Sequence, residues 1–452
     1  MKSSGQILSC LLCVLLAWNI PAGSAQAQFT QQGLKLVGTP AIGNETLQGY
    51  SVSVSGDGDT AIVGAPSDDG GIGAAWVYVR QGGIWSQQAK LTGTVIAAGA
   101  AGEGSSVSIS RDGNTAIVGR SGDLTGWVYA RVGEAWSQQA MLIPPISREG
   151  LSVSISGDGN IALIGMPGDS NIGAAYVFIR SGGAWTQQAK LVGTGAVLVG
   201  GVGAFEGFSV SLSADGNTAL VGGSTDNNEA GAAWVFTRSG GKWSQQVKLV
   251  GVGAVSPSEQ GYSVSLSADG KTAIVGGPLD NGATGAAWVY TLAGGMWSQE
   301  AQLVGSGAAN VAEQGASVSL SGDGNTAIVG GPDDNAGLGA TWVYARARGV
   351  WTQKARLVGT EAEGTARQGT SASLSADGST AIVGGPEDNG NVGAAWVFAR
   401  PVFAGTPGTA NCEGKSISAL AQQYGGLNNA APDLGYPSVS ALQNAIIAFC
   451  QE

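Results

Sequence analysis

The stretch FTQQGLKLVGT at residues 29–39 decides the fold, because six later segments resemble it and each of those ends a longer repeating unit. The six begin at residues 85, 136, 185, 243, 297 and 351, with sequences such as WSQQAKLTGT at 85 and WTQQAKLVGT at 185. No repeating unit stands in front of residues 29–39. The end of a repeat therefore precedes the first complete copy.

A turn of the form S-x-D-G recurs seven times, with 46 to 57 residues between successive copies. Its aspartates stand at positions 57, 112, 158, 215, 269, 323 and 377. In the unit 261–305, alternating polar and apolar residues predict a first strand, Asp269-Gly270 predicts a hairpin, and three further short runs predict three more strands. Four antiparallel strands in a repeat of about 50 residues are typical of one blade of a β-propeller.

The seventh unit contains three of its four strands and ends at Arg400, where Pro401 replaces the expected fourth strand. Residues 29–39 match that missing strand. The sequence therefore predicts an all-β, seven-bladed β-propeller over residues 28–400, closed by its N-terminal strand. The pair Gly33-Leu34 stands where the other units have one alanine or valine, which predicts a bulge or a slipped register. An open β-solenoid with capped ends is the alternative, but it does not explain two matching partial units.

Residues 1–27 have the pattern of a secretory signal peptide. Lys2 gives a positive start, residues 7–20 are mostly apolar, and Ala25-Gln26-Ala27 fits a cleavage site. The alternatives are an uncleaved membrane anchor, for which the apolar run is short, and a lipoprotein cleavage box at residues 7–10. We expect a secreted protein, whether extracellular, on the cell surface or periplasmic, with no integral membrane segment in the mature chain.

The composition changes after Arg400. Residues 401–411 are predicted to be a linker, and residues 412–452 a small α-helical tail with helices over 416–424 and 438–449. Cys412 and Cys450 flank these helices and are the cysteines left after removal of the signal peptide. An even pair in an exported protein predicts a disulfide, so the tail is expected to be a disulfide-closed helical hairpin.

The charge and residue content exclude several functions. The chain has a net charge of −11, which should repel nucleic acid, and it contains no histidine. Without histidine there can be no Ser-His-Asp or Cys-His catalysis and no histidine-ligated zinc or haem. We expect no nucleic-acid partner and a monomeric protein.

The unit S-x-D-G-x-T-A-I-V-G-G-P followed by G-A-A-W-V-Y resembles the FG-GAP repeats of integrin α-subunit propellers and their bacterial relatives, over residues 29–400. This resemblance implies a secreted or surface binding protein. Some members bind Ca²⁺ through a D-x-D-x-D-G series, but here each loop carries one aspartate, or two as at Asp57 and Asp59. Ca²⁺ takes six to eight oxygens, so no cofactor is expected, although a metal site is left open.

One face of the ring should carry both the loops between strands two and three and the connections from strand four to the next strand one. Both sets are acidic, and variable loops on a rigid scaffold often bind ligands. We predict a face that binds a cationic partner or a divalent ion; the alternative is that the acids only keep the protein soluble and cap their own turns. The seventh unit has Arg367 where others have glutamate. The candidate residues are Asp69, Asp169, Asp226, Asp280, Asp334, Asp388, Glu206, Glu259 and Glu313.

Tryptophans recur in strands three and four and are predicted to pack between blades, with sugar stacking on exposed rings as the alternative. The acids recur in nearly every unit and no unit has a singular cluster, so we expect no catalytic residues and no enzyme activity. A carboxylate-based glycosidase or lyase is the remaining enzyme alternative. The sequence thus predicts a secreted or surface binding or adhesion protein with an unidentified protein or glycan ligand, or a lectin-like propeller.

Overall fold

A computed structural model describes residues 29–93, 102–122, 124–145, 152–201, 203–309, 311–400, 409–433 and 438–450. The predicted signal peptide and residues 401–408 of the predicted linker lie outside these ranges. The described residues of the ring form seven four-stranded antiparallel sheets, numbered here as blades 1 to 7. The first strands of neighbouring blades contact one another around the whole circle. The predicted seven-bladed propeller is therefore confirmed.

Each of blades 1 to 6 contains four consecutive strands, β2–β5 through β22–β25, and blade 7 contains β26–β28 and β1. In blades 1 to 4 the strands span Ser51–Val54, Thr60–Ala65, Ala74–Gln81 and Ile84–Leu91; Glu103–Ile109, Thr115–Arg120, Thr125–Val132 and Ala135–Leu142; Ser152–Ile155, Ile161–Met166, Ala174–Ser181 and Ala184–Leu191; and Ser209–Leu212, Thr218–Gly223, Ala232–Ser239 and Lys242–Leu249. In blades 5 to 7 they span Ser263–Leu266, Thr272–Gly277, Ala286–Ala293 and Met296–Leu303; Ser317–Leu320, Thr326–Gly331, Ala340–Ala347 and Val350–Leu357; and Ser371–Leu374, Thr380–Gly385, Ala394–Ala399 and Thr30–Gln31.

The recurring S-x-D-G motif makes the turn between the first two strands of every blade. In blade 5 the Ser267 hydroxyl donates to Asp269 Oδ1 at 2.7 Å, and its oxygen accepts the Thr272 N–H at 2.9 Å. Gly270 follows at φ +66°, a left-handed conformation that glycine adopts without steric cost. The aspartate thus serves its own turn, as predicted for an Asp-Gly hairpin.

The N-terminal strand β1 completes blade 7. Thr30 pairs with Ala399 and Gln31 with Phe398, and the Leu36 N–H donates to the Ala395 carbonyl at 2.7 Å. From Gln31 to Leu36 the N-terminal segment advances five residues, while the partner strand goes back three, from Phe398 to Ala395. The fourth strand of blade 1, by comparison, has one extra residue relative to its partner. The predicted bulge is therefore present.

A circle of seven backbone hydrogen bonds joins the blades where the first strands end. The Gly56 N–H donates to the Arg111 carbonyl at 2.9 Å, each blade repeats this contact with the next, and the Ala376 N–H donates to the Gly56 carbonyl at 3.0 Å. The circle satisfies backbone groups at the edges of seven sheets, which would otherwise lack partners. Its members are Gly56, Arg111, Gly157, Ala214, Ala268, Gly322 and Ala376.

The strand-three tryptophans fill the spaces between blades, as predicted. Five of them are fully buried: Trp76, Trp234, Trp288, Trp342 and Trp396. The strand-four ring of Trp85 lies under the Arg80 guanidinium at 5.4 Å, and its indole N–H donates to Gln32 of the neighbouring blade at 3.0 Å. The strand-three rings are thus packed between blades, and Trp85 links its blade to the neighbouring one.

Two sets of helices complete the described chain. Five four-residue helical turns follow the second strand of blades 1, 4, 5, 6 and 7 and contain left-handed residues; these are α1 to α5, Asp68–Gly71, Asp226–Glu229, Asp280–Ala283, Asp334–Gly337 and Asp388–Asn391. The tail contains α6 to α8, Cys412–Tyr424, Leu427–Asp433 and Val439–Cys450.

The tail has one helix more than the predicted hairpin. Helix α7 starts just after the glycine pair that marks the end of α6, and its short, Asn-rich and Pro-containing sequence has no apolar periodicity. The disulfide between Cys412 and Cys450 is confirmed, with Cα atoms 5.6 Å apart. Across the described ranges, no helix is long and apolar enough to span a membrane.

Candidate functional site

The loops between strands two and three and the connections into strand one lie on one face of the ring. Parallel bridges join the two, for example between Gly173 of blade 3 and Glu206 on the way into blade 4. The predicted shared face is therefore present. The placement of its acids differs from the prediction.

Most of the predicted aspartates point into the protein. Asp226 is 1% exposed, and its Oδ1 accepts the Val197 N–H at 2.7 Å while its Oδ2 pairs with Lys248 Nζ at 2.5 Å. Because left-handed residues follow it directly, the turn folds the carboxylate inward. The same burial holds for Asp169, Asp280, Asp334 and Asp388.

The expectation of an exposed aspartate face is thus wrong for these five residues, since their oxygens are already bonded inside the turns. In blade 1 the buried acid is Asp68, paired with Lys90, while the predicted Asp69 is exposed at φ +51°. The acid and the strand-four cation recur together, 22 positions apart in blade 1, and this recurrence could have revealed the pairing from sequence.

The buried acids of blades 3 and 5 have different strand-four partners, and their pKa values shift in opposite directions. Burial disfavours the charged form of Asp169, but hydrogen bonds from Lys190 and Tyr176 outweigh it and hold the pKa of Asp169 below its ordinary value. In blade 5 the partner is the neutral Gln302, at 3.3 Å from Asp280 Oδ2. There burial raises the pKa of Asp280 despite the N–H bond from Val255.

We predict that Gln302→Lys stabilises the fold by about 1 kcal/mol at neutral pH, because each unit by which the pKa of Asp280 falls contributes about 1.4 kcal/mol. Gln246→Lys adds the same charge at an exposed strand-four position and should change stability by less than about 0.5 kcal/mol. Urea unfolding of both variants checks this, and equal stabilities would contradict the pairing argument.

Glu206 acts as a buried latch and is not exposed on the predicted face. In four blades the equivalent residue is a glutamine, such as Gln260, whose amide accepts the Gly251 N–H at 2.5 Å and donates to the Gly251 carbonyl at 3.4 Å. Glu206 accepts the Gly193 N–H at 2.5 Å, and its other oxygen has no partner in the described chain. Burial, with a smaller effect of Asp226, raises the pKa of Glu206 to about 8.

Of the other two predicted glutamates, Glu313 belongs to a charged cluster on this face, and Glu259 is near enough to interact electrostatically with Glu313. Arg367 is surrounded by three acids, with 2.5 Å between Nη1 and Asp333 Oδ1, 3.4 Å between Nη2 and Glu313 Oε2, and 3.6 Å between Nε and Glu387 Oε1. Burial raises the pKa of Glu313, and the charge of Asp333 adds to it. Burial likewise raises the pKa of Glu259, and Glu229 adds to that shift.

Beside this cluster a cavity of about 760 Å³ opens around the ring axis; we call it the axial funnel. Its wall carries three aromatic rings placed just before the first strands of blades 1, 4 and 5: Tyr50, Phe208 and Tyr262. The rings of Phe208 and Tyr262 lie 4.9 Å apart and are tilted by 48°. The remaining lining residues are Pro66, Ser105, Ser106, Ser121, Ser152, Pro167, Arg367, Thr370, Pro386 and Glu387.

A second cavity of about 420 Å³, the side cavity, lies between blades 6 and 7. Arg367 and Glu387 line both cavities. The sequence prediction missed the funnel, because its aromatic rings occupy a position at which the repeats differ from one another. Tyrosine, serine, phenylalanine and threonine stand at equivalent positions ahead of the S-V-S strand in different units, and this variation could have indicated the funnel.

The described acids of this face do not form a metal centre. Within the described ranges, no three or more acidic or cysteine side chains are grouped so that they could hold a metal ion. The expected absence of a cofactor stays a prediction.

No family model and no curated protein sequence matches this chain. The resemblance of the repeats to FG-GAP blades therefore stays a prediction. A chain of hydrazine synthase from Kuenenia stuttgartiensis has a similar structure, with a TM-score of 0.54 and 13% sequence identity, over 81% of this chain and 99% of that chain. At this identity the likeness shows the fold alone, and the class it defines is the β-propeller.

This comparison corrects one expectation. We expected no enzyme activity because the acids recur in nearly every unit and no unit has a singular cluster. A structure named for an enzyme contains a chain of similar fold, so the fold gives no ground for excluding catalysis.

Proposed function

We propose that this protein is an exported binding or adhesion protein that takes its ligand at the axial funnel. The predicted signal peptide supports export, and so does the Cys412–Cys450 disulfide, because disulfides persist in oxidising compartments. Within the predicted acidic face, the ligand would contact the funnel and the charged cluster around Arg367. It also places the ligand where six blades converge.

The observation that carries this proposal is the variation at one position of the repeat. Core positions recur from blade to blade because each must fill the same space between sheets. The funnel position instead holds Phe208 and Tyr262 in the adjacent blades 4 and 5, and Tyr50 in blade 1 between Ser105 of blade 2 and Thr370 of blade 7. Tyr50 is 45% exposed and Phe208 37% exposed, so these rings contribute little to the core. Exposed aromatic rings around a concave site are typical of ligand binding.

Filling the funnel tests the proposal. Thr370→Trp places a large ring in the cavity wall, whereas Ile84→Trp adds the same ring to a turn on the opposite face, where Ile84 is 73% exposed. Both variants and the wild type are applied to an array of immobilised oligosaccharides and hexapeptides. We expect wild-type binding to at least one probe, a loss of about tenfold or more with Thr370→Trp, and no change with Ile84→Trp. Binding that survives Thr370→Trp, or a wild type that binds no probe, would overturn the proposal.

A further inference from the structure

We infer that the axial funnel binds a neutral oligosaccharide of pyranose rings whose substituents are all equatorial, with one ring held between Tyr50 and the pair of Phe208 and Tyr262. This inference rests on the proposed function and names the ligand class of the same site. Three features of the wall carry it: aromatic rings on two opposite sides, hydroxyl groups between them, and charges that compensate each other.

The aromatic rings lie on opposite sides of the funnel. Contacts between first strands place blades 1 to 7 in order around the circle, with blade 7 next to blade 1. Phe208 and Tyr262 belong to the adjacent blades 4 and 5, and blade 1 is three blades from blade 4 in one direction and three from blade 5 in the other. Tyr50 of blade 1 therefore stands across the axis from the pair. Burial raises the pKa of Tyr262 and the phenol of Tyr50 adds to it, so the two hydroxyls are close enough to interact across the funnel.

Two facing apolar walls suit a ring with two apolar faces. The rings of Phe208 and Tyr262 lie 4.9 Å apart and together form one continuous surface. A pyranose with only equatorial hydroxyls has C–H groups on both faces, and burying them against opposite walls removes apolar area from water. An axial hydroxyl would stand on one face instead, where contact with an aromatic ring takes away its water and provides no partner.

Hydroxyl groups line the wall between the aromatic rings, where the edge of such a sugar carries its own hydroxyls. Ser105, Ser152 and Thr370 each donate to a backbone carbonyl, at 3.3, 2.9 and 2.8 Å. A hydroxyl that donates one hydrogen bond can still accept others, so these three side chains can accept from sugar hydroxyls. The phenols of Tyr50 and Tyr262 add hydroxyl donors on the two aromatic sides.

The charges of the funnel wall favour an uncharged ligand. The charged residues among the funnel's lining are Arg367 and Glu387, whose Nε and Oε1 atoms lie 3.6 Å apart. Arg367 Nη1 also lies 2.5 Å from Asp333 Oδ1, so its charge is already compensated. A charged ligand would have to disrupt these pairs or leave its own charge without a partner, and both are costly away from water.

The funnel is large enough for several sugars. Its volume of about 760 Å³ lies within the range of about 300–1,000 Å³ found for pockets that enclose drug-sized ligands. One sugar between the aromatic rings therefore leaves room for its neighbours in the chain.

The funnel favours a sugar over an added peptide strand. A peptide that binds by strand addition needs free N–H groups on a sheet edge. Here the edge N–H of Leu266 donates to the Ser211 hydroxyl of the preceding blade at 3.0 Å, and that of Leu320 donates to Ser265 at 3.1 Å. All seven blades repeat this contact, so serine side chains already occupy these N–H groups.

Four probes test the ligand class by isothermal titration of the full protein in mildly acidic buffer. Cellotetraose has only equatorial substituents, β-1,4-mannotetraose has one axial hydroxyl on each ring, tetraglucosamine replaces one hydroxyl of each ring by a protonated amine, and octaproline represents a peptide that docks on aromatic rings. We expect the Kd of cellotetraose to be at least about tenfold lower than that of each other probe. No binding of cellotetraose, or equal or tighter binding of any other probe, would overturn the inference.

Two variants of Tyr50 test the aromatic contact. Tyr50→Ala removes the ring and should weaken cellotetraose binding about tenfold or more, whereas Tyr50→Phe keeps the ring and should stay within about threefold of the wild type. Ile84→Ala truncates an exposed side chain on the opposite face and should bind like the wild type. Thermal melting checks that all three variants are folded. Equal losses in Tyr50→Ala and Tyr50→Phe, or no loss in Tyr50→Ala, would contradict a sugar held between aromatic walls.

The inference and the proposed function fail separately. If Thr370→Trp abolishes an array interaction but cellotetraose does not bind, the inference fails while the proposed function stands. If Thr370→Trp abolishes no interaction, both fail.

Discussion

Lys35→Met is expected to lower the free energy of unfolding by about 3–5 kcal/mol, because it leaves a buried carboxylate without its counter-ion. Lys35 Nζ lies 2.7 Å from Asp388 Oδ2, and the Asp388 side chain is 1% exposed. Methionine retains the aliphatic part of the lysine side chain, so packing changes little. The remaining hydrogen bond to Asp388, from the Glu363 N–H at 2.7 Å, cannot compensate a full charge.

Urea unfolding followed by tryptophan fluorescence measures this loss. Leu34→Met is the matched control, since Leu34 is the neighbouring residue in the bulge and is 71% exposed; it should change stability by less than about 0.5 kcal/mol. Lys35→Met/Asp388→Asn should recover a large part of the loss, because it removes the uncompensated charge. If Lys35→Met is as stable as Leu34→Met, the closing strand does not hold Asp388 as described.

Glu206→Gln is expected to stabilise the protein strongly above pH 8 and to have little effect near pH 4. The folded state holds the Glu206 proton up to about pH 8, whereas the unfolded chain releases it near the ordinary value of 4.5. A raised folded-state pKa gives stability that is complete below the unfolded pKa and is lost as the pH rises to the folded pKa. The loss is about 1.4 kcal/mol per pH unit over this window, so the upper bound is roughly 4 to 5 kcal/mol.

Glutamine has no such proton, and in blade 5 Gln260 makes two hydrogen bonds to the backbone of Gly251 from the equivalent position. We expect the new side chain of Glu206→Gln to make the same two bonds to Gly193. The unfolding free energies of wild type and Glu206→Gln should therefore diverge steadily between about pH 4.5 and pH 8 and stay a constant distance apart above it. Glu45→Gln, at an exposed position in another connection, should follow the wild type throughout. Parallel curves for wild type and Glu206→Gln would contradict a protonated Glu206.

The closed ring could be predicted because the repeat pattern contains two partial units that match each other. The segment at residues 29–39 and the incomplete unit ending at Arg400 complement each other, and the seven S-x-D-G turns mark seven hairpins. The circle of backbone bonds through Gly56 and Ala376 could not be predicted in this way, since backbone groups leave no pattern of side chains.

The site was predicted only in part, for a physical reason. Acids such as Asp226 recur and were expected on the surface, but left-handed residues at Asn227 and Asn228 turn the carboxylate towards Lys248. Loop handedness of this kind is not determined by composition. Glu259 and Glu313 do reach the predicted face, and the structure adds their neighbours there.

The funnel could not be predicted from the residues that recur in every repeat. Tyr50, Phe208 and Tyr262 stand at a position where each unit differs, and their proximity depends on the ring bringing distant blades to one axis. In this repeat protein, the residues that recur in every blade therefore indicate the scaffold. The positions that differ between blades indicate the candidate site.

Backbone hydrogen exchange over residues 29–39 tests circular closure most directly. The amides of Gln32 and Leu36 donate to the carbonyls of Val397 and Ala395 at 2.8 and 2.7 Å. They should exchange as slowly as the corresponding amides of the fourth strand of blade 1, Ile84–Leu91. Exchange at the rate of an unfolded peptide, while the strand Ala394–Ala399 stays protected, would contradict a ring closed by its N-terminal strand.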